Sequence, residues 1–213
     1  IANDQNMISA FESGADIHTA TAAQVFGLPI DMVTPVLRSR AKAVNFGIVY
    51  GIGAFSLAKD IGVTRKEADN YIKNYLASYP NVASYMEDTI KNAKLNGYVT
   101  TLFGRRRYLP ELSSSNGMLR AFGERVARNA PIQGTAADII KLAMIKVFDT
   151  LKREVPSAKL ILQVHDELIV ECDKKDAETV SGILKTEMEN AVHLSVELIA
   201  DAHFGKTWLE SKG

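Results

Sequence analysis

Arg38, Lys42, Phe46 and Tyr50 recur at intervals of four along Arg-Ser-Arg-Ala-Lys-Ala-Val-Asn-Phe-Gly-Ile-Val-Tyr-Gly. At roughly 100° per residue, that spacing keeps Arg38, Lys42 and Phe46 near one side of an α-helix over about 12 Å of its length, and Tyr50 follows four residues on. Two cations therefore precede one aromatic ring on a common face. Arg38 and Lys42 suit the negatively charged tail of a nucleotide, while Phe46 suits its sugar or base. An ordinary amphipathic helix with a basic edge accounts for the charges but not for their register with the rings.

A second group is acidic. In Gln163-Val164-His165-Asp166-Glu167-Leu168-Ile169-Val170-Glu171 two adjacent carboxylates stand between strongly apolar strands. Neighbouring strand residues point to opposite faces, so a turn must lie here, and a tight turn projects at least one acid to solvent or a ligand. Magnesium prefers oxygen donors and commonly takes one or two carboxylates together with substrate phosphates. A plain polar hairpin tip is the alternative, and a core histidine bonded to a backbone carbonyl is the alternative for His165.

The pattern Arg-x-x-x-Lys-x-x-x-Phe-x-x-x-Tyr-Gly resembles the fingers-helix signature of the family A DNA polymerases. Gln163-Val164-His165-Asp166-Glu167 resembles the palm hairpin of that family, and Glu124 to Asp138 resembles a third signature. The resemblance extends over essentially all 213 residues. It implies an α+β fold, with a mostly helical fingers subdomain and a palm holding a small antiparallel sheet and packed helices. Residues 1–15 would be a remnant of the palm/fingers junction, 16–117 the fingers and 118–213 the C-terminal palm.

The implied activity is that of a DNA-directed DNA polymerase in replication and repair, adding deoxynucleotides to a primer 3′ end by two-metal phosphoryl transfer. Its partners would be primed DNA template and deoxynucleoside triphosphates, with two Mg2+ ions as cofactor. Asp166 would be the metal ligand and Glu167 a nearby, less essential acid. Arg38 and Lys42 would neutralise the triphosphate, and Lys42 would donate a proton to pyrophosphate. Phe46 and Tyr50 would form the aromatic part of the nucleotide pocket, with His18 near the incoming nucleotide. A partly exposed helix histidine is the plainer view of His18.

Arg125, Asn129 and Gln133 also recur every four residues. Long planar donors on one helix edge suit the minor-groove acceptors that both base-pair types display alike. Asn129 and Gln133 are thus expected at the nascent pair or template, and Arg125 at the backbone. Helix-end capping is the alternative for Asn129 and Gln133. Gln163 and His165 would lie by the primer end and backbone.

The family's first palm signature, with a second metal-binding Asp and the acid that screens against ribose, is not found in these residues. Asp4, in Ile-Ala-Asn-Asp-Gln, resembles the sequence after that signature and is no substitute. The chain is therefore expected to be a fragment, inactive alone, whose partner is the missing N-terminal palm/thumb part of the same polypeptide. Two rival classes are a DNA-binding or scaffold module with a polymerase-derived fold, and a relative of single-subunit RNA polymerases.

Bulk composition is neutral on partners. Lys plus Arg and Asp plus Glu both number 25, for a formal net charge of zero, and 46% hydrophobic content is ample for a core. Local charge is more telling. From Lys91 to Pro110 there are five basic residues and no acid, a phosphate-facing strip or a solvated loop. Cys172, the single cysteine, excludes an internal disulfide and fits a reducing, cytoplasmic setting. No apolar run approaches the roughly 18 residues of a membrane helix, so no membrane partner is expected.

Several elements must position these groups. Helical patterns cover 6–12 and 17–26, divided by a break at Ser13-Gly14-Ala15-Asp16. Thr34 caps and Pro35 opens the signature helix, which Gly51 ends. Thr64-Arg65-Lys66-Glu67 is a capping box for a helix to about Ser78, and Asn81 should cap the next, to about Gly97. A hairpin over Tyr98–Leu109 turns at Gly104, and the polar 113–117 loop is the candidate boundary. A helix to about Ala130, a break at Pro131 and a long helix from about Ala136 to Arg153 should follow. Strands at Lys159–Val164 and Leu168–Cys172, a helix over about Ala177–Ala191 and a last strand at Val196–His203 complete the expectation.

Overall fold

A computed structural model of the chain describes residues 1–14 and 16–212. The expected break after the first helix is seen at Ser13 and Gly14, whereas Ala15 lies outside the described residues. The chain forms two compact units, Ile1–Gln133 and Gly134–Gly213. The fold is α+β, with eight α-helices, three short 3-10 helices and two small antiparallel sheets among the described residues.

The first unit opens with α1 (Gln5–Glu12), α2 (Ile17–Phe26) and α3 (Pro35–Val49). Asp16 caps α2 through Thr19 N–H, and Thr34 caps α3 through Leu37 N–H with Pro35 at its first position. Tyr50 is the C-cap of α3, one residue beyond its last helical turn, and Gly51 supplies the left-handed φ of 68° that reverses the chain. α4 (Ala54–Ile61) and α5 (Arg65–Ser78) follow, the latter opened by the expected capping box of Thr64 and Glu67. α6 spans Pro80–Asn96.

Asn81 does not cap α6. Tyr79 is the N-cap and Pro80 the first helical residue, because a proline with no N–H to lose is placed best there. The orphan N–H of Asn81 is satisfied instead by the buried Asp4, whose Oδ2 accepts it at 2.9 Å while Oδ1 accepts Met7 N–H at 3.1 Å. Val25, Val44, Ile48, Leu57, Tyr75, Tyr79 and Met86 form the core of this helical group. A second cluster, Ala93, Val99, Leu109, Leu112 and Ala127, seats the short hairpin β1 (Tyr98–Thr100) and β2 (Arg106–Tyr108).

α7 runs without interruption over Gly117–Glu154, so the break expected at Pro131 is absent. A proline inside a helix forfeits one hydrogen bond and clashes with the preceding turn, at about 3 kcal/mol. Pro131 is nevertheless buried within the helix, as is Ala127 four residues before it.

In the second unit β3 (Lys159–Val164) and β4 (Glu167–Glu171) pair antiparallel from Lys159↔Glu171 to Val164↔Glu167. α8 (Ala177–Glu189) packs Val180 and Ile183 against Val147 and Leu151 of α7. The strand expected at Val196–His203 does not form. Its backbone finds a side chain rather than a neighbouring strand: Ala200 N–H donates to Glu189 Oε1 at 3.1 Å. No helix among the described residues is long and apolar enough to cross a membrane.

Candidate nucleotide and metal sites

The face of α3 is built as its spacing implies, but two of its groups are engaged by α2. Arg38 meets Asp16 side-on, Nε to Oδ1 at 2.9 Å and Nη2 to Oδ2 at 2.7 Å, which leaves Nη1 outside the pair. Asp16 Oδ1 also accepts Thr19 N–H and Oγ1, both at 2.8 Å. Arg38, assisted by Thr19, holds the Asp16 carboxyl well below the usual carboxylate range, and Asp16 raises the Arg38 guanidinium in turn. Lys42 has no carboxylate partner among the described residues. Its Nζ lies 5.7 Å from the centre of the half-exposed Phe46 ring, within cation–π reach.

His18 completes this face. Its ring centre is 5.9 Å from that of Phe46, tilted by 44°. Its Nδ1 lies 2.9 Å from Nδ2 of Asn45, whose Oδ1 accepts Thr21 Oγ1 at 3.2 Å. Burial lowers the His18 imidazolium below its ordinary range; Asp16 opposes this, and Arg38 and Lys42 reinforce it.

Behind Phe46 a pocket of about 650 Å³ is lined by Gly47, Tyr50, Gly51, Ser56 and Arg125. Gly47 and Gly51 are required there. A Cβ on Gly47 would collide with Ile52, and one on Gly51 would stand 3.3 Å from Arg125 Cγ and from Arg128 Nη1. Tyr50 accepts a hydrogen bond from Gln133 Nε2 at 3.2 Å, which joins the end of α3 to the Arg125, Asn129 and Gln133 edge of α7. Asn129 and Gln133 lie within α7, which removes helix-end capping as their explanation.

The acidic group sits on the β3–β4 hairpin. Val164 and Glu167 close a two-residue turn of His165 and Asp166, and His165 takes a positive φ of 52°. Such a φ strains a residue that is not glycine. Gln163 stabilises it by donating Nε2–H to His165 O at 2.6 Å. His165 is exposed on this turn, so it is no core histidine. Asp166 is exposed and has no hydrogen bond or ion pair among the described residues, whereas Glu167 Oε2 accepts Trp208 Nε1–H at 3.2 Å. A bare carboxylate with neither cation nor donor beside it fits a hard divalent ion. Among the described residues no three His, Cys, Asp or Glu side chains cluster as a complete metal site. A groove of about 1720 Å³ runs from Asp166 and Glu167 past Ile199 to Trp208.

Asp16 and Asn45 are the residues that sequence spacing missed. Each had a local signal: Asp16 precedes a helical run as an N-cap, and Asn45 is a poor helix former inside a helix.

Comparison with known proteins agrees over the whole chain. Residues 1–210 match DNA polymerase family A. DNA polymerase I of Caldicellulosiruptor bescii is 52% identical over 212 residues, covering 100% of this chain and 25% of that protein. The DNA polymerase I of Bacillus subtilis is 50% identical, covering 100% of this chain and 24% of that protein. The structure of the POL domain of Pol1 from M. smegmatis, in complex with DNA primer-template and dNTP, is 40% identical. It superposes with a TM-score of 0.94 over 100% of this chain and 37% of that one. The chain belongs to DNA polymerase family A, of the bacterial DNA polymerase I kind. It spans about a quarter of the length of the curated relatives it matches.

Proposed function

We propose that this chain supplies the nucleotide-binding helix and one metal-holding carboxylate of a DNA-directed DNA polymerase that extends a primer 3′ end with deoxynucleotides. The observation that carries this is the α2–α3 face, where Lys42, the free Nη1 edge of Arg38, His18 and the Phe46 ring converge beside a pocket closed by Tyr50. Lys42 and Arg38 neutralise the triphosphate. Phe46 packs on the nucleotide, and Tyr50, braced by Gln133, borders the templating base.

Asp166, with Glu167 beside it, holds divalent metal, for which Mg2+ is the natural choice. Bound ions would lower the pKa of the primer hydroxyl and offset charge on the attacking and leaving oxygens. Two ions need more oxygen donors than the hairpin tip offers. The second carboxylate therefore comes from the rest of the polymerase, and this chain alone does not polymerise. Arg125, Asn129, Gln133, Gln163 and His165 contact DNA. On this basis 16–117 serve as fingers and 118–213 as C-terminal palm, with 1–15 at their junction. The named relatives are DNA polymerases, which favours deoxynucleotides over ribonucleotides and catalysis over scaffolding.

The test is primer extension by the intact polymerase carrying Asp166→Asn. Loss of the metal-holding charge should lower turnover by at least about 1,000-fold, equivalent to about 4 kcal/mol of transition-state stabilisation. The Kd for primed duplex should stay near wild type. Turnover within tenfold of wild type would remove Asp166 from the metal site.

A further inference from the structure

Asn45 stands inside α3 immediately before Phe46, where an asparagine is unfavourable because its amide competes with the helix backbone. Here the amide reaches α2. The fully buried Thr21 presents Oγ1 to Asn45 Oδ1 at 3.2 Å, which turns the amide nitrogen towards His18 Nδ1 at 2.9 Å. A donor facing Nδ1 requires that nitrogen to be bare. The proton of the neutral ring then belongs on Nε2.

We propose that Asn45 is a positioning residue of the nucleotide site, fixing His18 as the Nε2–H tautomer so that the ring offers a directed donor to a phosphate oxygen of a nucleoside triphosphate. This rests on the assignment of α3 as the nucleotide helix. Arg38 and Lys42 attract the triphosphate by charge, which acts in any direction. A neutral N–H held at a set angle adds orientation to that attraction. Asp16, Arg38 and Lys42 are the charged groups around the ring; burial, reinforced by Arg38 and Lys42 and opposed by Asp16, favours the imidazole over the imidazolium. Phe46 limits where the ring can turn.

The experiment uses the intact polymerase labelled with 15N-histidine, the His18 signals being assigned through His18→Ala. Long-range proton–nitrogen spectra should show Nε2–H in the wild type and Nδ1–H in Asn45→Asp, whose carboxylate accepts rather than donates. A deoxynucleoside triphosphate titrated against primed duplex should bind about tenfold more weakly to Asn45→Asp and to Asn45→Leu, the loss expected when one donor to a charged oxygen is misdirected. The double variant His18→Ala/Asn45→Leu should bind no more weakly than His18→Ala alone.

A wild-type ring protonated on Nδ1 overturns the proposal whether or not the variants fold. So does unchanged nucleotide affinity in both Asn45 variants while His18→Ala weakens binding, since Asn45 would then merely tie α2 to α3. Additive losses in the double variant have the same consequence. Failure of the underlying assignment looks different: Arg38→Ala would leave nucleotide affinity unaltered.

Discussion

Asp4→Ala tests whether the acid nearest the start of the chain is structural or a second metal ligand. The carboxylate is 3% exposed, and both oxygens are taken: Oδ1 caps α1 through Met7 N–H, and Oδ2 caps α6 from outside through Asn81 N–H. Losing an N-cap costs about 1 kcal/mol. An N–H left unsatisfied out of water adds about 1–3 kcal/mol, so the Ala variant should be destabilised by about 2–4 kcal/mol. For a chain of this size that lowers Tm by roughly 4–16 °C.

Asp4→Asn keeps one acceptor but turns an NH2 towards the other donor, and should recover about half the loss. Asp4→Ser reaches only Met7 and should recover about 1 kcal/mol, the value of one cap. Urea unfolding gives the global numbers. Hydrogen exchange at the Met7 and Asn81 amides gives the local ones, and both should lose protection together in the Ala variant. An Ala variant within about 0.5 kcal/mol of wild type, the range of ordinary surface changes, would refute the double-cap account and reopen Asp4 as a free carboxylate.

Gly51→Ala forces a Cβ onto a left-handed residue, at about 1–2 kcal/mol, and presses on Arg125 and Arg128. Both Tm and affinity for primed duplex should fall, and an unchanged duplex Kd would show that Arg125 does not contact DNA. Arg38→Lys keeps the charge but cannot form the side-on pair with Asp16, so the nucleotide KM should rise by about tenfold; an unaltered KM would show that the fork geometry is irrelevant. Acid should weaken the fold in steps. His18 binds its proton less readily folded than unfolded, so its contribution is full above pH about 6.5 and is lost as pH falls through the lower folded value. The Asp16 contribution is full above pH about 4 and is lost lower still, as pH falls through its depressed folded value. Urea midpoints from pH 7 to 5 should fall in wild type and flatten in His18→Gln; parallel slopes would exclude His18 as the source.

Groups set by neighbours in sequence were legible before any fold was known. The cap and proline at Thr34-Pro35, the Thr64–Glu67 box and the hairpin turn, expected over His165-Asp166-Glu167 and found over His165-Asp166, each depend on residues within four positions. The Arg38 face followed from helical period alone. Contacts made by folding were not legible: Asp16 with Arg38 lies 22 positions apart, His18 with Asn45 lies 27 apart, and Asp4 with Asn81 lies 77 apart. Pro131 misled because its local cost is real, whereas its burial inside a continuous helix is set by the fold. Val196 to His203 misled because alternation reports a two-sided environment, which a segment lying along a groove can have without a strand partner.

The cationic and acidic groups are prepared in opposite ways. On the α2–α3 face, Arg38 is half occupied by Asp16, His18 is oriented by Asn45, and Tyr50 is braced by Gln133. Asp166 has no such partner among the described residues, and the constraint falls on the backbone beneath it, through the strained φ of His165 and the Gln163 bond. The difference follows from the ligands proposed for each. A triphosphate is a long flexible anion, and donors fixed in advance reduce the freedom it must surrender on binding. A magnesium ion brings its own ordered water shell and strong field, so a carboxylate awaiting it needs a defined position more than protein hydrogen bonds, which would compete for the same lone pairs. Filling the lone pairs of Asp166 should therefore harm metal affinity, whereas removing Asp16 or Asn45 should harm nucleotide geometry.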